Sequence, residues 1–326
     1  MRLGGSRKRR LTLFYASDIH GSEKCFLKFI NAARFYGAGV LVLGGDLTGK
    51  VVVPLVRQGS DRYTARFQGE QHVIDGDEER RAFEKRVRFN GFYPVALDPD
   101  EHQAAAADAA LRDELFRAVV SDSVQRWVEL ADERLAGTGV RLIAYPGNDD
   151  EPWVDEVLAG STVIENADCR VVDLGDHELV GMGWANVTPF NSPRELPEEE
   201  LEARLEALIQ TMRAPHRSIF ALHCPPVNTG LDMAPKLRLR DGELQVVAAA
   251  GHTVLEPVGS VAVRNVIERH QPLLGAHGHV HESRAVARVG RSLCFNPGSE
   301  YSEGVLRGAL VVLEQDRVVS CQLVAA

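Results

Sequence analysis

The stretch Leu11-Thr12-Leu13-Phe14-Tyr15-Ala16-Ser17-Asp18-Ile19-His20-Gly21 begins as an apolar, β-favouring run and breaks into a polar turn carrying an acid and a histidine. Ser22 is placed to cap a helix, and Phe26, Phe29, Ile30 and Ala33 recur at the spacing of a single helical face. Gly37 is placed to stop it. A second apolar run, Val40 to Leu43, ends in Gly44-Gly45-Asp46. Strand, acid-bearing loop, helix, strand and acid-bearing loop is the opening of a layered α/β fold.

The same punctuation recurs outward from this unit. Arg141 to Tyr145 reads as a strand and ends in Pro146-Gly147-Asn148-Asp149-Asp150; Ser218 to Leu222 ends in His223-Cys224-Pro225-Pro226. Pro272 to Ala276 precedes Gly278-His279-Val280-His281, and Leu293 to Phe295 precedes Asn296-Pro297-Gly298-Ser299. Helices are predicted over Glu198 to Arg213 and from a Ser260 cap to about His270. Between about residues 57 and 139 the character changes. A hairpin pattern, Arg62 to Ile74, leads into helical stretches at Glu78 to Phe89 and Glu101 to Leu135, without an acid-histidine cluster. This region reads as a mainly helical insertion in a single domain spanning 11–326. It is either a wall or contact surface, or a solvated decoration.

With 326 residues, 44% hydrophobic and 25% charged, the chain can bury a sizeable core. Its net charge of −9 argues against a nucleic-acid coat protein, and no stable nucleic-acid binding is expected. Five scattered cysteines without a CxxC pair fit buried thiols in a reducing compartment, and no apolar run is long enough to span a membrane. These features point to a cytoplasmic protein. Residues 1–10, with the basic run Arg7-Lys8-Arg9-Arg10, read as a flexible N-terminus.

Strand ends of an α/β sheet gather ligands, so Asp18, His20, Asp46, Asn148, His223, His279 and His281 can converge despite their separation in sequence. Oxygen and imidazole donors without a motif cysteine suit first-row metals such as Mn, Fe or Zn. Seven donors are too many for one ion and suit two.

Five short motifs in order, Asp18-Ile19-His20, Gly45-Asp46, Gly147-Asn148-Asp149-Asp150, His223 and Gly278-His279-Val280-His281, resemble the series of the calcineurin-like metallophosphoesterases. The resemblance runs from residue 11 to about 299, leaving aside the insertion. It implies a four-layer α/β/β/α sandwich with two mixed β-sheets, the terminal β-rich run and Arg170 to Gly183 building the second. It also implies two divalent ions, Mn²⁺ foremost with Fe, Zn or Ni as alternatives. Asp18, His20 and His281 would hold one ion, Asn148, His223 and His279 the other, with Asp46 bridging. The implied reaction is phosphoester hydrolysis by a metal-bridging hydroxide, with the ions roughly 3.5–4 Å apart.

At one position the chain departs from the family. Most members carry His after the motif Asn, credited with protonating the leaving oxygen; here Asp149 stands. Asp149 or His277 is the candidate replacement acid, and Asp149 is equally a candidate to orient a ligand histidine. Asn148 and Arg284 are candidate substrate contacts. The departure favours a phosphodiesterase acting on a phosphorylated small molecule or nucleotide. A phosphomonoesterase or protein phosphatase is the alternative, and a non-catalytic metal-binding scaffold the alternative from another class. A homo-oligomer is compatible with the sequence. Cys224 reads as a buried thiol, Asn296 to Ser299 as the site floor, and His177, His216, His252 and His270 as surface or cap residues.

Overall fold

The computed structural model describes residues 10–240, 242–249 and 251–326. The basic start, apart from Arg10, lies outside these residues. Two six-stranded mixed sheets organise the chain. The first runs Arg317–Ala325, Arg307–Glu314, Leu11–Ala16, Val40–Gly44, Arg141–Tyr145, Ile164–Asn166, and its last four strands are parallel. The second runs Ala285–Val289, Ser292–Asn296, Leu274–Ala276, Ile219–Leu222, Glu178–Met182, Arg170–Asp173, with four parallel strands at its centre.

Strand alternation sorts the side chains between cores. Leu13 and Tyr15 enter a core between the sheets, with Val42, Ile143, Ile219, Leu274 and Phe295. Their neighbours Phe14 and Ala16 face the opposite way, into a core shared with helices. Helix α1 (Glu23–Tyr36) lies there; Ser22 Oγ accepts from the Cys25 N–H, and Gly37, at φ 63°, ends the helix. Helices α2 (Gly76–Phe89), α3 (Pro99–Ala107), α4 (Ala109–Leu135) and α5 (Val154–Leu158) follow along the chain. On the far side of the second sheet, α6 (Glu198–Ile209) and α7 (Val261–His270) bury Leu201, Leu205 and Ile209 with Val263, Val266 and Ile267.

The structure departs from the sequence reading in three places. The two terminal strands extend the first sheet, not the second. Arg307–Glu314 pairs antiparallel with Leu11–Ala16, which would otherwise be a bare edge, and Ala309, Val311 and Leu313 complete the inter-sheet core. The long helix expected from Glu101 breaks at Asp108, whose backbone is extended (φ −118°, ψ 120°) and whose side-chain Oδ1 caps α4 by accepting from the Ala110 N–H. Residues 52–97 also hold a four-stranded sheet, Glu70–Asp75, Arg62–Phe67, Val52–Arg57 and Tyr93–Leu97, whose small core includes Leu55, Tyr63, Phe67 and Phe83.

The second half of α4 is no decoration. Val120, Val124, Trp127, Val128 and Ala131 are buried with α1, and Trp127 stacks on Phe26 at 4.4 Å with the planes 6° apart. Trp127→Ala is therefore expected to lower the unfolding free energy by about 3–5 kcal/mol in a urea titration. A loss below about 1 kcal/mol, the scale of a surface change, would return α4 to the periphery.

Candidate metal centre

Every motif loop leaves the carboxyl end of a parallel strand: Asp18 and His20 after Leu11–Ala16, Asp46 after Val40–Gly44, and Asn148 after Arg141–Tyr145. His223 follows Ile219–Leu222, and His279 and His281 follow Leu274–Ala276, so both sheets feed one rim. Asp18, His20, Asp46 and His279 have φ of 53°, 39°, 49° and 67°. A left-handed backbone is unfavourable for such residues, and its concentration here is the signature of a site that holds side chains against local preference. Close packing of the loops explains their glycines. A Cβ at Gly147 would run into Asp46, and one at Gly278 into Ser17 and Asp18.

All seven sequence-read donors meet. The donor atoms of Asp18, His20, Asp46 and His281 lie within 4.8 Å of one another, and so do those of Asp46, His223 and His279. Asp46 belongs to both groups. His20 Nε2 and His281 Nε2 are 3.0 Å apart, and Asp46 Oδ2 is 3.7 Å from His20 Nε2 and 3.4 Å from His223 Nε2. Asn148 Oδ1 faces His223 Nε2 at 3.1 Å and His279 Nδ1 at 2.9 Å. His223 Nδ1 donates to the Gly44 carbonyl at 2.8 Å, which aims Nε2 at the cluster in the manner of a metal ligand.

The field at this rim attracts cations. Burial opposes a charged imidazole at His223, yet the Asp46 and Asp18 carboxylates outweigh it and push the group up to about 10. Burial likewise disfavours the Asp46 carboxylate, and His223, His20 and His279 together hold it well below the usual range. Asp18 is held down by His281 and His223 against the same burial, and accepts from Ser17 Oγ and the His279 N–H. Two buried carboxylates, four converging imidazoles and an amide oxygen fit a pair of divalent ions.

Sequence reasoning passed over Asp150. Fully buried, it accepts from the N–H groups of Leu47 (2.9 Å), Thr48 (2.8 Å) and Gly147 (2.7 Å) and from Thr48 Oγ1 (2.6 Å). It therefore ties the Asp46 loop to the Asn148 loop. Burial, reinforced by Asp46, pushes its carboxyl up to about 6 despite those donors. Its acidic place in the motif was the available signal.

The candidate acids sit differently from their readings. Asp149 touches no ligand histidine. Its carboxylate binds Lys50 Nζ at 2.7 Å and Ser192 Oγ at 2.6 Å, and its N–H donates to Asp46 Oδ1 at 3.0 Å. His277 faces away from the rim. Its Nδ1 donates to the Leu222 and Cys224 carbonyls, and burial lowers it to about 4. Arg284 is exposed in a separate cavity of about 290 Å³ beyond His281, with Glu282, Ser299, Glu300 and Arg307. Cys224 is buried with Sγ on Asn186 Oδ1, while Asn296 braces the loop by donating to the Gly278 and Val280 carbonyls. His177, read as a surface or cap residue, is buried with Nδ1 on the Arg217 carbonyl. Tyr301, unnoticed in the sequence, packs its ring 4.7 Å from that of His20.

A cavity of about 760 Å³ opens onto Asp46, Asn148, His279 and His281, with Lys50 and Asp149 on the same wall. Among the described residues no helix is long and apolar enough to cross a membrane.

No family model matches the chain. The uncharacterized protein MJ1162 of Methanocaldococcus jannaschii is 29% identical over 177 residues, 53% of this chain and 68% of its own. TT1561 of Thermus thermophilus covers 98% of this chain and 99% of its own at a TM-score of 0.52 and 15% identity. A further crystal structure covers 97% and 99% at a TM-score of 0.55 and 16% identity. Such identities speak of fold alone, and the fold carries the motif series in order around one rim. By fold, the chain is similar to these two structures, and its motif loops resemble in order those of the calcineurin-like metallophosphoesterases.

Proposed function

We propose that this protein is a metal-dependent phosphoester hydrolase that prefers phosphodiesters. The observation that carries this reading is the pair of donor groups sharing Asp46 on the wall of an open cavity. Asp18, His20 and His281 would hold one divalent ion, Asn148, His223 and His279 the other, and Asp46 both. When bound, such ions supply Lewis-acid charge for the phosphoryl oxygens and a water of lowered pKa as nucleophile.

Asp149 acts through Lys50. A carboxylate already gripped by an ammonium and a hydroxyl has little capacity left to donate a proton, whereas Lys50 is half exposed and lines the cavity. Lys50 Nζ is the group that meets negative charge developing on the leaving oxygen, and Asp149 positions it. The pair is neutral overall where the usual histidine can carry a positive charge. A monoester dianion gains less from it than the family pattern would give, which supports the diester preference. Arg284 contacts only a substituent long enough to pass His281.

Chelated protein reloaded with Mn²⁺ is expected to hydrolyse bis-p-nitrophenyl phosphate faster than p-nitrophenyl phosphate, with Asp46→Asn lowering kcat by at least ~10²-fold. Faster monoester turnover would make the protein a phosphatase, and no turnover despite two bound ions would make it a scaffold. Lys50→Met should lower kcat by about 10²-fold on esters with alkoxide leaving groups, but only a few-fold on p-nitrophenyl esters, whose leaving group needs little help. Equal losses on both would remove Lys50 from the leaving-group side. Asp150→Ala strands three buried N–H groups and should weaken Mn²⁺ binding by about 10–100-fold in calorimetry. Unchanged affinity would show that the two loops hold without it.

A further inference from the structure

The wall opposite the metal centre is apolar, and its pattern is specific. The chain leaves the core at Met233–Pro235, pairs Leu237–Arg240 with Glu243–Val246, and returns through Leu255–Pro257. In that hairpin Leu237 lies opposite Val246, and Leu239 opposite Leu244. Period-two alternation puts all four on one face. Leu237 and Val246 line the cavity; Leu239 and Leu244 continue the strip outward, with Leu239 69% and Val246 56% exposed. Across the cavity the loop after Ala185–Asn186 contributes Val187, Pro189 and Phe190, the last 63% exposed. Aliphatic surface this exposed, continuous with a polar site, marks a place where a ligand completes the burial.

The charges at the mouth narrow the ligand. Lys50 on the cavity wall is paired with Asp149, and Glu256 on the same wall binds Lys236 at 2.7 Å, so neither of these cations is uncompensated. A polyanionic nucleic-acid strand would need the opposite arrangement. The cavity volume suits one drug-sized molecule. Resting on the phosphodiesterase reading above, we infer that the substrate is a phosphoester carrying a flexible hydrocarbon chain. Its phosphate lies at the metal centre, and its chain runs out along Leu237, Val246, Leu239 and Leu244.

The test is a series of p-nitrophenyl alkyl phosphates, methyl to octyl, with the Mn²⁺-loaded protein and each ester below its micelle threshold. A chain half-buried on the strip should raise kcat/KM about 2-fold per methylene, or about 100-fold from methyl to octyl. Joint Leu239→Asp and Val246→Asp substitution should bring the octyl ester down towards the methyl ester's value in the same variant. A flat series, or a thymidine 5′-(p-nitrophenyl phosphate) rate above that of the octyl ester, overturns the hydrocarbon assignment while leaving the diesterase intact. If no ester is turned over, the diesterase reading fails separately and calorimetry decides the hydrocarbon question. Octyl phosphate binding at least ~10-fold tighter than methyl phosphate supports the strip, and equal binding overturns it.

Discussion

Two carboxylates, Asp18 and Asp46, are buried side by side at the rim where the sheets meet. Isolated charges there would cost several kcal/mol each, so the surroundings are built to compensate them. The His279 N–H and the Ser17 hydroxyl donate to Asp18, the Asp149 N–H donates to Asp46, and His223 stands between them. Bringing these donors inward requires loops tight enough to put Asp18, His20, Asp46 and His279 in the left-handed region. It also requires the flanking chain to be bare at Gly147 and Gly278. The inter-sheet core makes this possible. Tyr15, Tyr145 and Phe295 fix the strand ends from beneath, so the strain is held by packing the loops do not themselves provide.

What the sequence could convey follows from how local each signal is. A donor in the short loop just beyond an apolar run announces its own position, and all seven such donors converge. Neighbour relations between distant strands have no such mark. Arg307–Glu314 reads as a buried strand in either sheet, and only the need to cover the edge of Leu11–Ala16 decides between them. Asp108 sits in an Ala-rich stretch that favours helix, yet it acts as a cap between two helices. Lys50 is silent in the sequence for a related reason. Its importance lies in a partner about a hundred residues away, and an isolated lysine in a loop has no spacing to betray it. The hairpin between Met233 and Pro257 is equally hard to read, because its short strands face water and lack the apolar density of a core strand.

The replacement at Asp149 and the apolar wall bear on one another. In the proposed reading an acid beside the phosphate would repel it unless matched, and the Lys50–Asp149 ion pair supplies the match, leaving that side of the mouth close to neutral. A neutral mouth gives up long-range attraction for highly charged substrates. Affinity must then come from elsewhere on the ligand, and the available surface is the strip of leucines and valine opposite. Burial of hydrocarbon is indifferent to the charge state of the phosphate and contributes alike to ground and transition states. It therefore raises occupancy at low substrate concentration without speeding the chemical step. On the proposed reading a division of labour follows: the rim and Lys50 would govern the reaction, and the wall would govern which ester reaches it.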